Sequence, residues 1–176
     1  DATIATASTL VDVAEVESGS GDSIVTLTGT GGLLADIMTA TKDLFFTVND
    51  GNTLKLGGTS SEVSGEVLTI DLVDSSTFEI SAASTNVGAV TADADGDGTM
   101  TISAALTQSD TIGSSALDIG TINANAAATI NGITHAKDIN VAANTDFTVD
   151  VFANTIDISG TSTTLTYGLA DILEAT

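Results

Sequence analysis

At 176 residues the chain is long enough for one sizeable core or two small ones. Its 24 acidic residues face only Lys42, Lys55 and Lys137, with no arginine, for a formal charge of -21. That balance excludes nucleic acid and anionic membrane surfaces as partners, because both need clustered cations.

The apolar content is 42%, yet aromatics make up only 3%, and Trp and Cys are absent. Burial therefore falls to Ala, Val, Ile and Leu, and 30 threonines accompany them. β-branched side chains suit a pleated, half-buried surface better than a helix, so the composition leans to strand. Without cysteine there is no disulfide scaffold and no thiolate metal site. No run approaches the roughly 18 apolar residues of a spanning helix, so no membrane insertion is expected. The start at Asp1, without Met or an apolar leader, fits a mature secreted chain.

In chain order, residues 3–16 read as extended, ending in the alternation from Leu10 to Val16. Ser18-Gly19-Ser20-Gly21-Asp22 is a turn signal, and Ser23 to Thr28 is strand-like. Leu33, Leu34, Ile37 and Met38 have helical spacing, so one short helix is expected over residues 33–38. Phe45 to Val48, then Asn49-Asp50-Gly51-Asn52, then Thr53 to Leu56 reads as a β-hairpin, since Asp-Gly supplies the positive φ of tight turns. Further strands are expected at 67–73, 77–81, 87–91 and 99–104, and short Ile-centred pieces recur from Leu117 onward.

About a dozen short strands spaced by roughly 8–12 residues read as an all-β, antiparallel β-sandwich of jelly-roll type with one short helix. The repeated x-Ile-x pieces leave a β-solenoid in the second half as the alternative, although the isoleucine spacings hold no fixed period. Two parts are expected: residues 1–17 as an extended N-terminal segment, and residues 18–176 as one sandwich domain. Proline is absent, so edge strands lack a common blocker of pairing. The segment Ala2 to Val16 is then a candidate donor strand that completes the sheet of a neighbouring subunit.

One motif carries chemistry. Asp93, Asp95 and Asp97 alternate ahead of Gly98, and Thr99 and Thr101 follow at the seventh and ninth positions. Three carboxylates within five residues repel one another unless a cation neutralises them. The stretch resembles the first half of an EF-hand loop, which implies calcium held by Asp93, Asp95, Asp97, Thr99 and Thr101 in a structural role. The twelfth position, a bidentate Glu in that family, is Ala104, so the resemblance covers this loop alone. A solvated acidic turn is the alternative.

No catalytic residue is expected. His135 is the only histidine, and there is no Gly-x-Ser-x-Gly elbow and no phosphate-binding loop. In composition the chain resembles the secreted, Thr/Ala/Gly/Asp-rich surface proteins of microbes, of the surface-layer, extracellular-filament and repeat-adhesin types. That resemblance implies an extracellular or cell-surface protein, and with the acidic loop and the donor segment the chain is read as a structural subunit: a homopolymer held by calcium and strand exchange, forming a filament, tube or surface layer. The alternative it implies is a calcium-stiffened adhesin or ligand-binding module. The sequence does not identify a small-molecule ligand.

Overall fold

Alternation builds the elements. In Leu44–Val48, the residues Leu44, Phe46 and Val48 are buried while Phe45 is exposed and Thr47 half-buried, and Leu68–Leu72 repeats the pattern. In the computed structural model the described residues are 2–6, 10–17, 23–29, 32–38, 42–61, 67–160, 163–167 and 173–175. Every strand pairing among them is parallel.

The strands stack into three sheets that wind around one core, which makes the fold a parallel β-solenoid. The first sheet stacks Ala2–Thr6, Ser23–Gly29, Leu44–Val48, Leu68–Leu72 and Ala89–Ala92. A nine-stranded long sheet runs from Leu10–Glu17 through Asp97–Ile102 to Leu173–Ala175. The third sheet begins at Ser84–Thr85 and stacks Leu106–Gln108, Ala128–Ile130, Thr145–Phe147 and Leu165–Tyr167.

Stacked coils deliver buried residues, most of them apolar, to shared interior columns. Leu54 pairs with Phe78, Phe78 with Met100, Met100 with Ile122 and Ile122 with Ile139, in steps of 24, 22, 22 and 17 residues. All five are buried. A second column runs Phe46, Ile70, Val90, Ile112, Thr134. Stacking in register therefore lets each coil bury the apolar face of its neighbours.

The shortening from 22 to 17 has a local cause. Ile112 and Ile119 lie seven positions apart, whereas their partners Thr134 and Ala136 lie two apart. The corner between the first and long sheets has been excised, and Thr134–Val141 runs straight through it as one strand.

This architecture corrects the antiparallel sandwich, and the solenoid is not confined to the second half: it includes Leu44–Val48 and Thr53–Ser61 as well. The expected helix at 33–38 is instead the strand Gly32–Met38, and the described residues contain no helix. Its register against Thr53–Ser61 shifts between Ala35 and Ile37. A bulge of this kind interrupts period-two alternation and accounts for the helix-like spacing. The expected hairpin is also corrected. The turn at Asn49–Asn52 forms, with Asn52 N–H donating to the Asn49 carbonyl at 3.0 Å and Gly51 at φ 71°. The strands it joins, however, belong to different sheets. The corner bonds onward to the next coil, with Thr77 N–H donating to the Asn52 carbonyl at 2.9 Å. At the N-terminus, Ala2–Thr6 pairs with Ser23–Gly29 and Leu10–Glu17 with Gly32–Met38, within the same chain.

Candidate functional site: the acidic corner and the third-sheet groove

The acidic motif occupies a corner between the first and long sheets. Corners at 49–52, 73–76, 93–98 and 114–118 lie one above another, and the carboxylates of Asp50, Asp95 and Asp97 cap the backbone of adjacent coils. Asp50 Oδ1 accepts from the Ser75 N–H at 3.3 Å and from the Ser75 hydroxyl. Asp97 Oδ2 accepts from the N–H groups of Asp74 at 3.0 Å and Ala94 at 3.2 Å. Asp95 Oδ1 accepts from the Asp118 N–H at 3.1 Å. Backbone bonds run in parallel, from Gly98 N–H to the Asp74 carbonyl (2.7 Å) and from Gly96 N–H to the Asp118 carbonyl (2.9 Å).

Where the corner is excised, a lysine closes the stack. Lys137 Nζ donates to Asp95 Oδ2 at 2.8 Å and to Asp118 Oδ2 at 2.9 Å. Asp118 also lies 3.8 Å from His135 Nδ1, and the His135 ring stacks on Phe152 with centroids 4.5 Å apart and planes 10° apart. The single histidine thus packs at the same corner, which its position in the sequence did not signal.

Of the residues expected to hold calcium, Asp95 and Asp97 each spend carboxylate oxygens on neighbouring coils. Asp93 is exposed, and its N–H donates to the Leu72 carbonyl at 2.9 Å. Thr99 and Thr101 lie within Asp97–Ile102, paired between Thr77 and Thr121 and between Glu79 and Asn123 respectively. They belong to the outer side of the long sheet and do not curl back toward the aspartates as in an EF-hand loop. Among the described residues, no group of three or more His, Cys, Asp or Glu side chains is placed to hold a metal ion.

Charge at the corner has a sign that pH can read. The Lys137 ammonium, followed by the Asp118 N–H, holds the Asp95 carboxyl below its usual 3.8. Asp95 and Asp118 raise Lys137 above 10.5. The Asp95 contribution is present above 3.8 and is lost as pH falls through its lower folded value; the Lys137 contribution is present below 10.5 and is lost as pH rises through its raised one. Both side chains are solvent-accessible, so the effect is small. Lys137→Met should lower stability at neutral pH and remove the part of the salt sensitivity that comes from the Lys137 pairs. Denaturant midpoints of wild type and variant should converge in strong acid, where Asp95 is protonated in both. Asp71 behaves in the opposite sense: burial, with repulsion from Asp93 and Asp97, raises its carboxyl against a lowering bond from Thr91 Oγ1 at 2.9 Å.

A second feature lies on the outer side of the third sheet. Register brings Thr85, Thr107, Thr129, Asp146 and Thr166 into one outward column. Ala83, Ala105 and Ala127 precede the same strands and are exposed. Together these columns line a shallow groove of about 690 Å³. The signal was present as Ala-Ser-Thr, Ala-Leu-Thr and Ala-Ala-Thr at residues 83–85, 105–107 and 127–129, spaced by one coil.

Set against protein-family models, curated proteins and solved structures, the chain matches none.

Proposed function

We propose that this chain is a stiff β-solenoid module of a secreted, adhesin-type microbial surface protein, with the third-sheet groove as its ligand-facing side. The observation that carries the reading is the register of the third sheet. It repeats the same short Ala/Thr pattern coil after coil along one open groove, while the opposite corner is spent on tying coils together. Hydroxyls and methyls in rows about 4.8 Å apart offer an extended ligand the same contact many times over. Stiffness comes from backbone capping by Asp50, Asp95 and Asp97 and from the Lys137 clasp. The acidic surface keeps such a rod soluble outside the cell. A calcium contribution at the corner would have to compete with Lys137 for Asp95.

The filament alternative draws less support, because the segment proposed for donation pairs within its own chain. The test is display of the chain on a non-adherent bacterial cell, with attachment measured to glass, cellulose and mucin. Thr107→Lys with Thr129→Lys should abolish attachment while leaving the circular dichroism and melting curve unchanged. Attachment that survives the double substitution, or no attachment to any of the three surfaces, overturns the assignment of the groove. Melting with calcium and with chelator, in wild type and Lys137→Met, reads the competition: calcium should stabilise the variant more than the wild type.

A further inference from the structure

The chain contains one Asn-Gly pair, Asn131-Gly132, at the corner that leads from the third sheet back to the first. Its glycine is imposed by packing. A Cβ there would collide with the backbone carbonyl of Asp110 in the preceding coil, so a side chain is sterically shut out. Asn131 itself is exposed. Its Oδ1 accepts a hydrogen bond from the Thr148 hydroxyl at 2.8 Å, across from the following coil. That contact places a donor on the side-chain carbonyl of the one asparagine whose next backbone nitrogen carries no neighbouring Cβ.

From this geometry we infer that Asn131 is a self-modification site, converted to aspartate and isoaspartate with Thr148 as a positioning and polarising residue. The Gly132 backbone nitrogen attacks Asn131 Cγ and loses its proton to solvent. The tetrahedral intermediate carries its negative charge on Oδ1, where the Thr148 hydroxyl stabilises it, as a donor does at a developing oxyanion. The Cγ–Nδ2 bond breaks, ammonia leaves with a proton, and a five-membered succinimide remains. Water then opens the ring at either carbonyl, giving aspartate or isoaspartate with no change of oxidation state. The product adds one negative charge, and isoaspartate adds a backbone methylene at a corner whose neighbours are held by Asn131 N–H to the Gln108 carbonyl at 2.7 Å. The modification therefore marks the age of the molecule at a position where the coil register is set. This inference is independent of the adhesin reading, since it needs no ligand.

Folded protein incubated in mildly alkaline buffer, then digested and mapped by mass spectrometry, tests it. The Asn131 peptide should gain the mass difference between amide and acid ahead of every other asparagine peptide. Thr148→Val should slow that gain by about two- to tenfold, the worth of one hydrogen bond in the transition state. Asn131→Gln, whose longer side chain disfavours the five-membered ring, should abolish it. The same peptide freed from the fold gives the rate without Thr148. An Asn131 that stays intact in the folded chain while the free peptide reacts overturns the proposal. A Thr148→Val rate equal to wild type, with an unchanged melting curve, removes Thr148 from it.

Discussion

Phe78→Ala is expected to lower the unfolding free energy by about 3–5 kcal/mol, the range for truncating a buried aromatic. Phe78 is among the largest fully buried side chains and is 1% exposed. It lies in register between Leu54 on one side and Met100 on the other, so truncation opens a void between three coils at once. The backbone cannot close that void by local collapse, because both flanking strands are held by ladder bonds at fixed spacing. Urea denaturation measures the loss. The matched control is Phe45→Ala on the first sheet, where the residue is 37% exposed; it should cost under about 1 kcal/mol. Hydrogen exchange adds a spatial readout. In a stacked array each coil contacts only its neighbours, so protection should fall first in the coils beside Phe78. Equal losses for the two variants would mean that the interior column does not carry the stability.

The strands were legible from the residues because alternation is a local property. Leu44 to Val48, Leu68 to Leu72 and Thr99 to Ile102 all show it without reference to any partner. What alternation does not encode is who pairs with whom. A strand with one face buried looks the same in a sandwich and in a solenoid. The distinguishing information lies in the corners, where Asn49–Asn52 carries hairpin chemistry yet hands the chain to a different sheet. The solenoid period was also masked, because the excised corner drops the step from 22 to 17 just where the isoleucine pieces are clearest. The aspartates at 93, 95 and 97 were legible as a group that must be neutralised somehow. The partners that tie Asp95 and Asp97 to other coils, Asp74, Asp118 and Lys137, are distant in sequence and come together only through coil stacking. The groove residues carried a periodic signal one coil long, readable only once the coil length is known.

Gly113→Ala is expected to be destabilising by about 2–5 kcal/mol, and its cause separates two effects that glycine substitutions usually confound. Gly113 has φ 69°, a left-handed conformation that costs an L-residue about 1–2 kcal/mol. It also begins the corner immediately after Ile112, with its N–H donating to the Val90 carbonyl at 2.8 Å. A Cβ at this position would run into the carbonyl oxygen of His135 in the next coil and lie 3.1 Å from the His135 Cβ. That carbonyl belongs to backbone and His135 N–H is tied to the Ile112 carbonyl at 2.7 Å, so the obstacle cannot swing aside as a side chain would. Overpacking of this kind adds about 1–3 kcal/mol. Gly51 supplies the comparison: it has φ 71°, but a Cβ there meets nothing within 4 Å. Gly51→Ala should therefore cost only the conformational part, about 1–2 kcal/mol, and Gly51→Asn less, since asparagine tolerates the left-handed region. Chemical denaturation of the three variants gives the answer directly. If Gly113→Ala and Gly51→Ala lose the same stability, the close approach of coils at Gly113 is absent in solution. If the difference appears, it measures the steric contact between one coil and the next at the corner where the Lys137 clasp begins.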